Sequence, residues 1–232
     1  MSSDPSSFRC DVILPAGGSG KRFGGNLPKQ FADIGGRAMI EWTVERLVAD
    51  ARVERIVVAV GEAHRSRMIS LISKNRWSRI ELAEGGTNRQ ESVWNALQLT
   101  SGVWVAVHDA VRPNLTEALL SRIFAAAEAH GAAVPCLSLT ETVHEVEDGR
   151  VVRSPSRESL RAAQTPQCFR RADLVNALGS AMRSGQIGTD EAAIVASSGY
   201  PVAVVGGDPL NFKVTFPEDF DRMATLLNRT IR

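Results

Sequence analysis

A glycine-rich segment near the start of the chain places cations beside exposed backbone groups. The segment, DVILPAGGSGKRFGGNLPKQF, runs from Asp11 to Phe31, and its glycines are followed by Lys21, Arg22 and Lys29 with no acidic residue among them. Glycine turns after strands allow several backbone N–H groups to converge on one anion. The arrangement therefore predicts a loop that binds phosphate groups.

Two common phosphate-binding motifs do not fit this segment. In the P-loop, G-x-x-x-x-G-K-[ST], serine or threonine follows the lysine, whereas here Arg22 follows it and Pro15 occupies the first glycine position. In the dinucleotide motif, G-x-G-x-x-G, Gly18 and Gly20 match, but Phe23 occupies the third glycine position. The glycines alone are equally compatible with a tight turn that carries solvated lysines. The cations favour an anion, because two unit charges ~4 Å apart interact by ~4 kcal/mol at an effective dielectric of ~20.

Apolar runs and amphipathic segments alternate over the part of the chain that contains these residues. The predicted strands are 10–16, 54–61, 79–86 and 132–137, with another in the apolar first part of 103–113, which turns abruptly polar at HDAVRP; the predicted helices are 37–50, 64–75, 88–100 and 116–131. This alternation predicts an α/β fold with a doubly wound, mostly parallel sheet. Ligands bind at the carboxyl ends of the strands in such sheets. We therefore expect PAGGSGKR and HDAVRP, which both follow strands, to share one cleft.

The alternation is interrupted at residues 138–162, where apolar and polar residues alternate around an Asp-Gly pair at 148–149. This pattern predicts a β-hairpin. Because a two-stranded ribbon is marginally stable alone, it must pack on its own domain or on another subunit. The simpler interpretation is a protruding arm that grips a second copy of the chain in a homodimer. Beyond the arm, the patterns predict helices over 172–183 and 189–195, a strand over 201–207, and a terminal helix opened by Thr215 and Pro217.

The composition is that of one globular domain. The chain has 232 residues, and we expect a single domain over 10–232 preceded by a disordered lead-in over 1–9. A net charge of +1 disfavours nucleic acids and polybasic membrane binding, and no apolar run reaches the length of a membrane span. Three widely spaced cysteines without a CxxC pair argue against a disulfide framework or a zinc site, so we expect a cytoplasmic protein.

Seven motifs together resemble the 2-C-methyl-D-erythritol 4-phosphate cytidylyltransferase family of polyol-phosphate cytidylyltransferases. They are LPAGGSGKRFGGNLPKQF, HDAVRP, TETV, SR at 156–157, AAQTPQCF, TDEA and NFKVT, in this order along residues 10–228. The resemblance implies a Rossmann-like nucleotidyltransferase fold. It also implies transfer of CMP from CTP to 2-C-methyl-D-erythritol 4-phosphate with release of pyrophosphate, in the non-mevalonate route to isoprenoid precursors. Such a reaction needs positioning and charge stabilisation and no covalent enzyme intermediate.

The resemblance also assigns roles to individual residues. The implied catalytic residues are Arg22, Lys29, Arg157 and Lys213. The implied nucleotide-binding residues are Pro15, Ala16, Gly17, Gly18, Gly20, Gly86, Thr87, Ser92, Asp109 and Ala110. The implied acceptor-binding residues are Arg112, Thr142, Arg157, Thr165 and Lys213. Because Thr142 and Arg157 fall on the predicted arm, the arm is expected to contribute to the site of the neighbouring subunit.

Asp109, at the end of a predicted strand, is the candidate metal ligand. A carboxylate among phosphates is explained if a cation bridges them, and Mg²⁺ takes oxygen ligands while it keeps several waters. The resemblance implies the same role for this position, with Mg²⁺ as cofactor. The alternative is an N-cap for the segment that follows. We assign His108 to packing or hydrogen bonding, because an ionised phosphate nucleophile needs no strong base.

Two other functions fit part of the pattern. A ribitol-5-phosphate cytidylyltransferase would share the CTP half of the site and differ in the acceptor pocket. A non-catalytic CTP-binding module would need no transition-state clamp, so the joint presence of Arg22, Lys29, Asp109 and Lys213 argues against it.

Many relatives carry aspartate where this chain has Thr87, so we expect a hydroxyl in place of a carboxylate beside the base.

Overall fold

The computed structural model describes residues 8–18 and 28–230. Residues 1–7 of the expected lead-in therefore lie outside the described residues. Phe8, which the sequence analysis also assigned to the lead-in, belongs to the core: its buried ring stacks against Trp104 and Phe124, with centroid separations of 5.3 and 4.9 Å. Aromatic packing thus extends the folded part of the chain to residue 8.

The predicted helices and strands are all present, with small changes at their ends. The strands are β1 Cys10–Pro15, β2 Val53–Val60, β3 Ile80–Glu84, β4 Trp104–Val107, β5 Ala132–Ser138, β6 Glu145–Glu147, β7 Arg150–Arg153, β8 Arg161–Ala163, β9 Gln167–Arg170 and β10 Ala203–Gly206. The helices are α1 Met39–Ala49, α2 Glu62–Asn75, α3 Arg89–Leu97, α4 Glu117–His130, α5 Arg171–Ser184, α6 Glu191–Ser197 and α7 Pro217–Thr230. None of these helices is both long and apolar enough to cross a membrane.

Eight of the described strands form one mostly parallel sheet, as the sequence predicted. The order is β10-β5-β9-β4-β1-β2-β3, with β8 paired to β5. The pairs β1–β2, β1–β4, β2–β3 and β5–β10 are parallel, whereas β9 is antiparallel to both β4 and β5. The sequence analysis missed β8 and β9, because strands of three and four residues are too short to show a period.

Both faces of the sheet are covered, which explains the near-continuous apolar runs of the strands. One face packs residues such as Leu14 and Val58 against α1 and α4, and the other packs residues such as Ile13 and Val57 against α3, α5 and α6. A third cluster joins α7 to the start of α1 and to the loops that follow β4 and β10. Its buried members are Ile34, Met39, Trp42, Val111, Val214, Met223 and Leu227.

The predicted hairpin is present as a separate two-stranded sheet made of β6 and β7. Its turn residues, Asp148 and Gly149, have φ angles of 48° and 75°. Positive φ at both central positions is the conformation that Asp-Gly favours in a tight hairpin. Every residue of both strands is exposed, including the cross-strand pair Val146 and Val151.

Candidate active site

A cavity of about 490 Å³ opens at the carboxyl ends of β1, β3 and β4. Its wall includes many residues that the sequence singled out: Pro15, Ala16, Gly17, Gly18, Lys29, Gly86, Thr87, Ser92, Asp109, Ala110 and Lys213. It also includes residues that the sequence analysis did not select: Gln30, Asn88, Arg89, Val111 and Thr215. Gly20 and Arg22 lie outside the described residues. The cleft expected between the glycine loop and the HDAVRP segment is therefore present.

A buried glutamine holds the start of the glycine loop. The Nε2 group of Gln30 donates to the carbonyl of Ala16 at 2.6 Å and to that of Gly18 at 3.2 Å. The N–H of Ala16 still extends the sheet, donating to the carbonyl of Ala59 at 2.8 Å. Gln30 lies in the short helical turn Lys29–Phe31. One amide side chain thus fixes how the loop leaves β1 and where Lys29 meets the cavity wall.

Close backbone packing after β3 requires two glycines. A Cβ atom at Gly85 would lie 2.9 Å from the backbone that follows β2, and one at Gly86 would lie 2.5 Å from the side chain of Glu91. The N–H of Gly86 donates to Ser92 Oγ at 2.9 Å, and that hydroxyl donates to the carbonyl of Asn88 at 2.8 Å. Gly86 and Ser92, two of the implied nucleotide-binding residues, are therefore direct neighbours.

Thr87 is tied to the first turn of α3. Its N–H and its hydroxyl both donate to the carboxylate of Glu91, at 2.7 and 2.5 Å, and these bonds lower the pKa of Glu91. Asn88 caps α3 by accepting from the N–H of Glu91 at 2.9 Å. Because the hydroxyl of Thr87 donates its proton to Glu91, its oxygen can only accept a hydrogen bond from a ligand.

Asp109 is surrounded by three cations. Its Oδ2 atom lies 3.1 Å from Lys213 Nζ and 3.2 Å from Arg112 Nε, while its Oδ1 atom lies 3.4 Å from Arg89 Nε. Burial alone would raise the pKa of this carboxyl, but Lys213, Arg89 and Arg112 outweigh burial and hold its pKa well below the ordinary value. Asp109 is therefore ionised at neutral pH.

Sequence reasoning missed Arg89, which joins two distant carboxylates. Its Nη1 atom donates to both carboxylate oxygens of Glu191, at 2.7 and 2.8 Å. Burial would lower the pKa of Arg89, but Glu191 and Asp109 raise it above the ordinary value. For Glu191, burial is the larger effect and raises its pKa. The signal available in the sequence was Glu191 within the TDEA motif, which entered only as part of the family resemblance.

Two lysines approach the cavity from different loops. Lys29 Nζ donates to the carbonyl of Val214 at 2.8 Å, and Lys213 pairs with Asp109. Lys213 lies in the loop between β10, which ends at Gly206, and α7. The next residue fastens this loop to the one after β4, because the N–H of Val214 donates to the carbonyl of Val111 at 3.0 Å.

Some predicted site residues are buried behind the cavity wall. Thr165 Oγ1 accepts from the N–H of Asp109 at 3.0 Å and bonds His108 Nδ1 at 3.0 Å. His108 Nε2 bonds the carbonyl of Arg112 at 3.2 Å, and Arg112 Nη1 donates to the carbonyl of Asn211 at 2.8 Å. Burial lowers the pKa of His108 to about 4, so the ring is neutral at pH 7 and its two bonds are structural. Thr165 and Arg112 therefore support Asp109 from behind within one chain.

Thr142 and Arg157 are not part of the cavity wall of the same chain. Both residues are exposed at the base of the hairpin. Arg157 Nη1 donates to the carbonyl of Thr140 at 2.6 Å. The structure thus leaves these two residues at the arm and not beside Asp109.

The donor set around Asp109 fits Mg²⁺ bound largely through a substrate. Among residues 8–18 and 28–230 no group of three or more His, Cys, Asp or Glu side chains could hold a metal ion. Mg²⁺ is commonly held by one or two carboxylates together with substrate phosphates and water. A single carboxylate next to cations that suit phosphate oxygens matches this second type of site.

Comparison with known proteins assigns the chain to a family. The family model described as IspD, 2-C-methyl-D-erythritol 4-phosphate cytidylyltransferase, matches residues 10–229. A protein of that name from Symbiobacterium thermophilum is 42% identical over 220 residues, covering 93% of this chain and 91% of the relative. The protein of the same name from Bacillus mycoides is 40% identical over 210 residues, covering 90% of this chain and 93% of the relative.

Solved structures agree with this assignment. The crystal structure of 2-C-methyl-D-erythritol 4-phosphate cytidylyltransferase from Thermus thermophilus superposes with a TM-score of 0.77 at 33% identity, covering 93% of this chain and 98% of that one. The Francisella tularensis enzyme of the same name superposes with a TM-score of 0.79 at 26% identity, with the same coverage of 93% and 98%. This chain therefore belongs to the 2-C-methyl-D-erythritol 4-phosphate cytidylyltransferase family.

Proposed function

We propose that this chain is an enzyme that transfers CMP from CTP to 2-C-methyl-D-erythritol 4-phosphate. The products are 4-diphosphocytidyl-2-C-methyl-D-erythritol and pyrophosphate, in the non-mevalonate route to isoprenoid precursors. The observation that carries the proposal is the family match over residues 10–229. The cavity supports it, because glycine backbone from two strand ends and lysines from two separate segments line one cavity with Asp109.

The reaction is a phosphoryl-group displacement. A phosphate oxygen of the acceptor attacks the α-phosphorus of CTP, a new P–O bond forms, and the bond from the α-phosphorus to the departing pyrophosphate breaks. Negative charge grows on the leaving group and on the α-phosphoryl oxygens, so preorganised cations accelerate the step. Lys29 and Lys213 supply such cations from the cavity wall. We assign the same task to Arg22, which lies outside the described residues.

We assign the nucleotide to the glycine side of the cavity. The segment from Gly86 to Ser92 faces the base in this proposal, and the Thr87 oxygen accepts from the amino group of cytosine. The residues from Pro15 to Gly18 lie along the triphosphate. Asp109 would hold Mg²⁺, which, when bound, neutralises phosphate charge between the nucleotide and the protein. Ala110 adjoins Asp109 on the same wall.

We further propose a homodimer in the cytoplasm, in which the arm completes the partner's site. The exposed valines of the hairpin support this, because an apolar cross-strand pair in water favours burial. Thr142 and Arg157 lie at the base of the arm, outside the cavity of their own chain. In the dimer these two residues would reach the acceptor phosphate in the neighbouring subunit, and Arg112 and Thr165 would support the wall behind it.

The experiment mixes the protein with CTP, Mg²⁺ and 2-C-methyl-D-erythritol 4-phosphate, and follows pyrophosphate and the cytidyl product by ³¹P NMR. Ribitol 5-phosphate serves as the comparison acceptor. We expect turnover with methylerythritol phosphate and little with ribitol phosphate. Preference for ribitol 5-phosphate would identify that compound as the acceptor substrate instead. CTP binding without release of pyrophosphate would identify the chain as a non-catalytic nucleotide-binding module.

A further inference from the structure

A buried ion pair links the first residue of α3 to the first residue of α6 behind the cavity. Arg89 Nη1 lies 2.7 and 2.8 Å from the two carboxylate oxygens of Glu191. The side chain of Glu191 is only 1% exposed, whereas that of Arg89 is 31% exposed and lines the cavity. The pair therefore sits between the interior and the predicted ligand site.

The two oxygens of Asp109 are engaged to different extents. Oδ2 lies within 3.2 Å of two cationic groups, those of Lys213 and Arg112. Oδ1 has the longer contact, 3.4 Å to Arg89 Nε. An unrestrained guanidinium beside a carboxylate commonly donates two N–H groups in parallel. Here Glu191 binds the Nη1 end of the guanidinium with both of its oxygens, and Arg89 meets Asp109 only at this longer Nε contact among the described hydrogen bonds.

Glu191 is itself held rigidly. The preceding residue, Asp190, caps α6 by accepting from the N–H of Ala193 at 2.8 Å, and also accepts from Gln167 Nε2 at 2.7 Å. Gln167 Oε1 in turn accepts from the N–H of Ala192 at 2.9 Å. The start of α6 is thus fastened to β9, and the Glu191 carboxylate is a fixed anchor for Arg89.

We propose that Glu191 is a positioning residue for the divalent cation at Asp109. By anchoring the Nη1 end of Arg89, it keeps the guanidinium from moving closer to Asp109 than the 3.4 Å contact at Oδ1, so that this oxygen can still reach the cation. Its negative charge also offsets that of Arg89, which would otherwise add to the repulsion that Lys213 and Arg112 exert on a cation. This inference rests on the proposed magnesium site. It adds a residue that neither lines the cavity nor touches substrate.

The test measures how strongly Mg²⁺ tightens nucleotide binding. The dissociation constant of α,β-methylene-CTP, whose carbon bridge prevents release of pyrophosphate, is determined by calorimetry with Mg²⁺ and again with EDTA. The ratio of the two constants reports the cation's binding to the protein–nucleotide complex, because the coupling is reciprocal. For Glu191→Gln we expect the constant with Mg²⁺ to rise ~10-fold, as is typical for residues that support a metal ligand. The dissociation constant in EDTA should stay equal or fall, because loss of the Glu191 charge makes the site more positive and the nucleotide is an anion.

Opposite responses with and without Mg²⁺ separate this role from a purely structural one. A damaged cavity would weaken nucleotide binding in both conditions, and that result would overturn the proposal. A ratio within about twofold of wild type would overturn it as well, since the expected change is ~10-fold. Glu41→Gln is the matched control, since Glu41 is a buried carboxylate paired with Lys74 at 3.1 Å and lies outside the cavity. We expect Glu41→Gln to leave the ratio unchanged.

A double variant tests whether Glu191 acts through Arg89. Arg89→Gln combined with Glu191→Gln removes one charge of each sign and leaves two amides that can bond each other. We expect the ratio to return to within about threefold of wild type, because the competing cation has gone. A double variant whose ratio of dissociation constants departs from wild type as far as that of Glu191→Gln would overturn the proposal. Asp109→Asn separates the assumptions: if it leaves the ratio unchanged, the magnesium site itself is wrong, whereas a normal ratio in Glu191→Gln alone refutes only the role of Glu191.

Discussion

At the scale of single residues, Lys213 has the clearest electrostatic task. Its ammonium group lies 3.1 Å from Asp109 on the wall where phosphate charge would build up. We expect Lys213→Ala to lower kcat by at least ~100-fold, as the loss of one preorganised charge donor commonly does. Initial rates of pyrophosphate release over a range of CTP concentrations measure this. Lys74→Ala is the control, because Lys74 also pairs with a buried carboxylate but does not line the cavity; equal rates for the two variants would remove Lys213 from the mechanism.

His108 gives a residue-scale prediction about pH and stability. Burial lowers its pKa to about 4, below the unfolded value of ~6.5, so between these values the unfolded chain binds more protons than the folded one. The free energy of unfolding should therefore fall as the pH drops from about 7 to about 5, with His108 accounting for about 2 kcal/mol of the loss.

Urea denaturation of the wild type and of His108→Gln at several pH values tests this. Glutamine does not titrate, so its unfolding free energy should change less over the same interval. The bonds that His108 makes to Thr165 and Arg112 also explain why a histidine next to the candidate metal ligand is structural. Parallel pH profiles for the two proteins would show that His108 does not titrate as its burial implies.

At the scale of elements, α7 positions both site lysines although it contributes no residue to the cavity wall. Its buried Met223 and Leu227 pack in one cluster with Val214, which follows Lys213 and whose carbonyl accepts from Lys29. We expect Leu227→Ala to cost about 3 kcal/mol of unfolding free energy, as is usual for a fully buried leucine, and to raise KM for CTP.

Urea denaturation and steady-state kinetics measure these two effects. Ile69→Ala is the control, because Ile69 on α2 is about half exposed and should cost well under about 1 kcal/mol. A Leu227→Ala protein with normal stability and normal KM would show that α7 does not support the lysine-bearing loop.

The helices and strands also show which structural features a local sequence pattern can predict and which it cannot. The hairpin could be predicted because Asp148-Gly149 specifies a turn through its own backbone preference. By contrast, β9 carries no comparable local signal: Gln167–Arg170 is a strand because it fits between β4 and β5, and both partners lie far away in the chain. The missed strand matters for the site, since Gln167 holds the start of α6 and thus Glu191.

At the scale of the whole molecule, the exposed hairpin is the feature on which the proposed dimer rests. Val146 and Val151 form a cross-strand pair and are 55% and 58% exposed. We expect the wild type to sediment as a dimer and Val151→Asp to dissociate at protein concentrations at which the wild type remains dimeric. The reason is that a carboxylate cannot be buried in an apolar contact without a large cost.

Analytical ultracentrifugation at matched concentrations measures the dissociation. Val103→Asp is the control, because Val103 is an exposed valine outside the hairpin. If Arg157 acts in the neighbouring site, turnover should fall together with the dimer fraction. A wild type that is monomeric and active would contradict the role proposed for the arm.

The sequence alone determined the order of the helices and of the strands other than β8 and β9, the strand ends that carry chemistry, and the family resemblance. Burial periodicity and turn residues such as Asp148-Gly149 act over a few neighbours, so they are legible without coordinates. Only the tertiary structure decided that Arg89 meets Glu191 across 102 positions of the chain and that Lys213 meets Asp109. These contacts depend on the order of strands in the sheet and on the loops packed against α7. No local pattern encodes that order, because it is set by the packing of all the elements together.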